Sequence, residues 1–400
     1  MAHIEATSTH VRSAWSDSET FYEHAEHWVK YAHVYFYLGR YREAEEIYSG
    51  VVTAYRSHLQ PSEPKLLRAV RGLATIKRFQ GDYEDAQRLY EEARDGFTET
   101  LGPDDIETLQ TIQSLAVVYR HLGRLQDSIA LYEWALHGSK RDDNGFYRKS
   151  GAGHHYTIHT VLGLAIVYQH RGLYTEAVEH YNEVVSHRVS KLGPDHPDTL
   201  VAKQNLADGL GRKGQYQEAM QLFKEVLDSR ISHLGRQHPD TLRTIDCIGI
   251  LYRHQKEWAK AQTEFNKAYL GRRQSLGDSH PDTLATIQNM AVTYREQSKD
   301  HPYDTDQFNF YLRKAEAEYK KAHSGRKKAL GVDHTDTMKS WEGLALISEA
   351  RGDHGTARDY YEDVKAGFEK HLVPESDDVK RAGAALRRLS ELLDAREIYR

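Results

Sequence analysis

The chain has 400 residues, 39% hydrophobic and 28% charged, a composition ample for a continuous buried core. Its formal net charge of −5 argues against sequence-independent nucleic-acid binding, and its single cysteine, Cys247, excludes an internal disulfide or a thiolate metal cluster. No apolar run approaches the ~20 residues of a membrane helix, and the first twenty residues lack the basic-then-apolar form of a secretion signal, so a cytoplasmic protein without a membrane partner is expected.

In chain order, residues 1–18 read as a polar leader, with Asp17 or Ser18 placed to cap the first helix. Eight similar units follow over residues 19–373. Each carries a small residue in its first helix: Ala32, Ala74, Ala116, Ala165, Ala207, Gly249, Ala291 and Ala345. A second small residue follows (Ala44, Ala86, Ser128, Ala177, Ala219, Ala261, Ala315, Ala357), and then an aromatic (Tyr48, Tyr90, Tyr132, Tyr181, Phe223, Phe265, Tyr319, Tyr361). This is helix, turn, helix: paired small residues let two helices approach, and the aromatic fills the space above them. Insertions near 138–155 and 298–309 are expected as surface loops, the first of them mobile and dispensable for folding. Residues 374–400 form a helix, with Val379, Ala382, Leu386, Leu389 and Leu393 apolar, that should cap the last unit.

Successive units are joined by LGPDHPDTL (Leu192 to Leu200), LGRQHPDTL (Leu234 to Leu242), LGDSHPDTL (Leu276 to Leu284) and LGVDHTDTM (Leu330 to Met338), the first three 42 residues apart. A fixed period of this size means stacked copies of one supersecondary unit. Leu-Gly closes one helix, with the glycine expected in the left-handed conformation. Proline then fits the first position of the next helix, and the aspartate after it meets the positive end of the helix dipole. His196, His238 and His280 therefore read as junction residues rather than ligands.

The spacing resembles that of the tetratricopeptide repeat family, and the 42-residue HPDTL junction resembles its kinesin-light-chain-like form, over about residues 24–373. No N-terminal heptad coiled coil and no P-loop sequence accompanies the repeats. The resemblance implies an all-α, right-handed superhelical solenoid of about eight repeats, with first-helix residues lining a concave groove.

Catalytic motifs are absent, and no cofactor is implied. GLGRKG at Gly209 to Gly214 matches a dinucleotide fingerprint but falls where a hairpin turn is expected. His154, His155 and His159 have no carboxylate or cysteine to complete a metal site, so no metal is expected. The informative signal is a stripe beside the buried face of each first helix. It carries Arg71, Gln113, Gln204, Asp246 and Gln288 at one level, Asp208 at a second, and Arg78, Arg120, Gln169, Arg253 and Arg295 at a third. His121, His170, Arg212 and His254 lie beside them. Amides can bond a peptide backbone and arginine forks hold carboxylates, so the expected partner is an extended, acidic protein or peptide segment. The alternative is an enzyme or small-molecule binder using Tyr37, His121, His170, Asp208, Asp246 and His254. Self-association through the end repeats is a third possibility.

Overall fold

A computed structural model describes residues 22–38, 40–138, 151–372, 374 and 376–398, and every regular element among them is an α-helix. The described helices follow one another as helix, turn, helix. They pair α1 (Ala25–Tyr37) with α2 (Tyr41–His58), α3 (Pro64–Gln80) with α4 (Tyr83–Leu101), and α5 (Ile106–His121) with α6 (Leu125–Gly138); α7 (Gly151–His170) and α8 (Tyr174–Leu192) come next in the chain. Next come α9 (Pro197–Lys213) with α10 (Tyr216–Leu234), α11 (Pro239–His254) with α12 (Trp258–Leu276), α13 (Pro281–Ser298) with α14 (Thr305–Leu330), and α15 (Thr335–Ala350) with α16 (His354–Glu369). A single helix, α17 (Asp377–Ile398), follows. The chain divides into two compact units, Met1–Val167 and Tyr168–Arg400, with the boundary inside α7.

The hairpins form for the reasons the spacing implies. All seven first-helix alanines of the small-residue series, Ala32 through Ala345, are fully buried, as is every member of the second series. Gly249 holds the remaining first-helix position because Phe265 leaves no room: a Cβ there would lie 2.8 Å from the ring. Ser128 is tolerated because its hydroxyl donates to the Ala116 carbonyl across the hairpin at 2.7 Å. The aromatics Tyr48 through Tyr361 are buried, each contributing roughly 1.5–3 kcal/mol. Gly72 shows how tightly they seat, since a Cβ added there would meet Tyr48 at 2.4 Å.

At the junctions, histidine caps the next helix directly. Nδ1 of His196, His238, His280 and His334 accepts the backbone N–H of Asp198, Asp240, Asp282 and Asp336 at 3.1–3.2 Å. The junction glycines differ from expectation. Gly235 has φ 86° and ψ 165°, a positive-φ conformation essentially confined to glycine rather than the left-handed helical one, which occurs instead at hairpin turns such as Gly214 (φ 92°, ψ 3°). Gly209 and Gly211 lie inside α9, so only the last glycine of GLGRKG is in a turn.

A feature absent from the sequence expectations locks these junctions. The buried guanidinium of Arg230 donates to the Asp240 carbonyl at 2.9 Å, to Thr244 Oγ1 at 2.7 Å and to Gln204 Oε1. Arg272 reaches the Asp282 carbonyl and Thr286, Arg326 reaches the Asp336 carbonyl and Ser340, and Arg188 reaches the Asp198 carbonyl.

Only half of the insertion near 298–309 is a loop. Residues 299–304 make a turn, and the rest lengthens α14 to 26 residues. Asp300 fastens the turn to the preceding hairpin, accepting from Trp258 Nε1 at 2.7 Å and Lys256 Nζ at 3.2 Å. The leader with its Asp17 or Ser18 cap lies outside the described residues, as does most of the 138–155 insertion, whose last residues begin α7. At the other end, Val379, Ala382 and Leu389 of α17 pack with Tyr361, Val364 and Phe368 of the last hairpin.

Candidate functional site

In Met1–Val167, the face formed by α3 and α5 carries Arg71, Arg78, Gln113, Arg120 and His121. Arg71 is committed internally: it pairs with Glu107 at 2.7 Å and lies over the Phe97 ring. Arg78 lies over Phe79, its centre 4.6 Å from the ring centroid, and its Nε is buried without a hydrogen-bond partner. Arg120 is half-buried and bonds His121 Nε2 at 3.1 Å, while the His121 ring stacks on Tyr83. Gln113 is half-buried, and Tyr37 stands 85% exposed. Burial pushes the Tyr132 hydroxyl up to about 12, against the opposing pull of Arg120 and Arg78, so it remains a neutral donor within electrostatic reach of both arginines.

In Tyr168–Arg400 the stripe is more polar and more internally paired. Asp208 Oδ2 accepts from Gln169 at 2.5 Å and from Arg212 Nε at 3.0 Å. His254, within reach of this pair, is held below the ordinary imidazole range by burial and by Arg253 and Arg212. His170 is exposed. Gln204 and Gln288 belong to the buried clamps instead of an open groove: their carbonyls accept from Arg230 and Arg326. Asp246 is buried, accepting from Asn289 at 3.0 Å with Arg272 at 3.6 Å, and its Oδ1 has no hydrogen-bond partner. Burial raises its carboxyl above the usual range.

Arg253 and Arg295 face the buried Tyr319 hydroxyl, and both pull against its burial-raised pKa. Their own environments differ. Arg295 donates to Glu296 at 2.7 Å, and Tyr319 and Glu296 together outweigh the burial penalty on its charge. Arg253 lacks such a partner. Burial dominates and lowers it, with Tyr319, Asp246 and Glu296 opposing too weakly, and its Nη1 is buried without an acceptor. A guanidinium stays charged in a protein, so this is a partly buried cation short of counter-charge.

Tyr37 and His121 belong to one compact unit, whereas His170, Asp208, Asp246 and His254 belong to the other. Among the described residues, no group of three or more His, Cys, Asp or Glu is placed to hold a metal ion. Burial, with Asp208 and Asp246 nearby, pushes the half-buried Cys247 thiol up to about 12, which disfavours the thiolate. Two stripe residues were missed from sequence. Glu342 and Glu349 occupy the equivalent positions of α15, and arginines of α17 meet them: Arg381 bonds Glu342 at 2.6 and 2.9 Å, and Arg388 bonds Glu349 at 2.5 Å.

A family model described as tetratricopeptide repeat matches residues 23–94, 65–140, 157–232 and 235–302. Among solved structures, the apo form of the quorum sensor NprR from B. thuringiensis is similar over 86% of this chain and 87% of that one, with 16% identity and a TM-score of 0.57. A Rap protein complexed with Competence and Sporulation Factor aligns over 95% of this chain and 99% of that one, with 10% identity and a TM-score of 0.50. A Podospora anserina putative kinesin light chain with TPR-like repeats is 24% identical over 53% of this chain and 97% of that one, with a TM-score of 0.46. At these identities the likeness concerns the fold. A search of curated sequences gives no significant match.

Proposed function

Because the chain belongs to the tetratricopeptide repeat family, in its 42-residue kinesin-light-chain-like form, we propose that it is a scaffold that holds a protein or peptide segment against its first-helix stripe. The segment is acidic and extended. One observation carries this: Arg253, partly buried at the stripe, holds its Nη1 out of solvent with no acceptor to meet it. A ligand carboxylate is the group that completes it, because a charge-assisted bond in a partly dry site is roughly twice as strong as a neutral one. Arg295 Nε, in the same compact unit and likewise buried without a partner, supports the same reading.

The test uses a fluorescent decapeptide of alternating glutamate and alanine, with its glutamine counterpart as control. The acidic peptide should bind, and added salt should weaken it. The double variant Arg253→Glu, Arg295→Glu should lose at least tenfold in affinity while keeping its helical circular dichroism. Equal binding of the two peptides, or unchanged affinity in the double variant, rules the proposal out.

A further inference from the structure

In Met1–Val167 a cavity of about 570 Å³ opens between α1 and α3, within the roughly 300–1,000 Å³ typical of small-ligand sites. Its floor is apolar and aromatic: Val29, Phe36, Tyr48, Tyr55 and Ile76. Its rim is basic, with Lys30, Lys65, Arg68 and Arg71 set against the single carboxylate of Glu26. Lys65 meets Glu26 at 3.0 Å, while Arg68 and Arg71 share Glu107, which is not part of the lining.

We propose that this cavity binds a small amphipathic anion, a carboxylate carrying an acyl or aryl group. The floor favours the apolar body through burial, and the excess of rim cations favours the charged head. One deep polar group is already satisfied. Tyr48 Oη shares a 2.8 Å hydrogen bond with His33 Nε2, and burial pushes the phenol up to about 12, so the floor presents no negative charge to the ligand. The extended acidic ligand of the previous section was argued from Arg253, in the other compact unit, so either proposal can fail alone.

Octanoate and its neutral counterpart octanamide are the probes, titrated calorimetrically into the full chain. Octanoate should bind saturably at one site, with octanamide at least tenfold weaker. The variant Lys30→Glu, Lys65→Glu should weaken octanoate at least tenfold at unchanged helicity. Val29→Trp, which fills the cavity from a half-buried position, should abolish binding. Four results would overturn the proposal: no saturable binding, equal affinity for the two probes, unaltered binding in both variants, or displacement of octanoate by the acidic decapeptide. Binding seen only after residues 2–20 are removed would make the chain's own leader the occupant, and would overturn it too.

Discussion

The two compact units solve one packing problem in opposite ways. Eleven residues after the second small residue of a hairpin, Met1–Val167 places Tyr55 and Phe97, and Tyr168–Arg400 places Arg188, Arg230, Arg272 and Arg326. All six side chains are buried. The aromatics fill the space by area. The arginines fill it by donating to the backbone carbonyl ten residues on, which is the aspartate of the HPDTL-type junction. In the last hairpin of Tyr168–Arg400 the position returns to an aromatic, Phe368, and no such junction follows. The difference shows that HPDTL is half of a two-part device. Its histidine caps the helix and its aspartate carbonyl receives a buried cation, so the motif recurs where the arginine does.

The sharpest way to break this comparison is to exchange the two solutions. Arg230→Phe should destabilise by about 2–4 kcal/mol, because it removes the buried donor that Thr244, Gln204 and the Asp240 carbonyl share and leaves only the longer Thr244 bonds at 3.1 and 3.3 Å. The midpoint of denaturant unfolding reads this directly. An unchanged midpoint would mean that the arginine acts only as bulk.

The hairpins were legible in the sequence because their causes are local. Small residues at a fixed spacing, an aromatic four further on and a proline-opened junction each constrain only their own neighbours. The buried clamps were equally periodic, since Arg188, Arg230 and Arg272 are 42 residues apart. They escaped notice because arginine on an amphipathic helix reads as surface, and only burial shows otherwise. The stripe was legible as an alignment of positions but not as a set of free groups. Gln204 and Gln288 share their offset with Gln113, yet they serve the clamps, which depend on contacts across repeats. The insertion near 298–309 shows in the sequence only as extra length, which reads as a loop, whereas the extension of α14 back to Thr305 depends on packing that the sequence does not display.

A second test targets what the two units share. Ala219 is fully buried at a hairpin contact, so Ala219→Leu should cost roughly 1–3 kcal/mol through overpacking. The equivalent Ala86→Leu should cost a similar amount, because the close approach of the two helices does not depend on how the junction is filled. Exposed Ala384→Leu is the control, expected within about 0.5 kcal/mol of the parent. If Ala86→Leu and Ala219→Leu diverged widely, the junction chemistry would be reaching into the hairpins, and the comparison would extend beyond one position.

A smaller effect separates the units by pH. His254, His323 and His334, which burial holds below their ordinary value of 6.5, all lie in Tyr168–Arg400. A depressed folded-state pKa means that the unfolded chain binds more protons, so stability is full above about 6.5 and falls as pH drops below it. Asp246, raised by burial, acts in the opposite sense from its ordinary 3.8 upward, so Asp246→Asn is the cleaner background. Between pH 7 and 5.5, hydrogen exchange corrected for intrinsic rate should accelerate in α11 and α15 more than in α3 and α4. Equal acceleration in both places would remove pH as a distinction between the units.

The smallest expected effect concerns the last hairpin, where the sign of the stripe inverts. Glu342 and Glu349 stand where the sixth and seventh repeats carry Asp246, Gln288, Arg253 and Arg295, and α17 supplies the cations. The two pairs are not equivalent. Glu342 is 7% exposed and held by two bonds from Arg381, whose charge is favoured first by that hydrogen bonding. Arg381 itself is about half exposed, which screens the pair, so Arg381→Ala should cost only about 1 kcal/mol. Arg388 and Glu349 form one bond near solvent, and a double-mutant cycle there should give about 0.5 kcal/mol or less, vanishing in high salt. A larger coupling at Arg388 than at Arg381 would show that α17 is held by its charges rather than by Val379, Ala382 and Leu389. The helix would then be a ninth partner of the stripe instead of an apolar cover over the last hairpin.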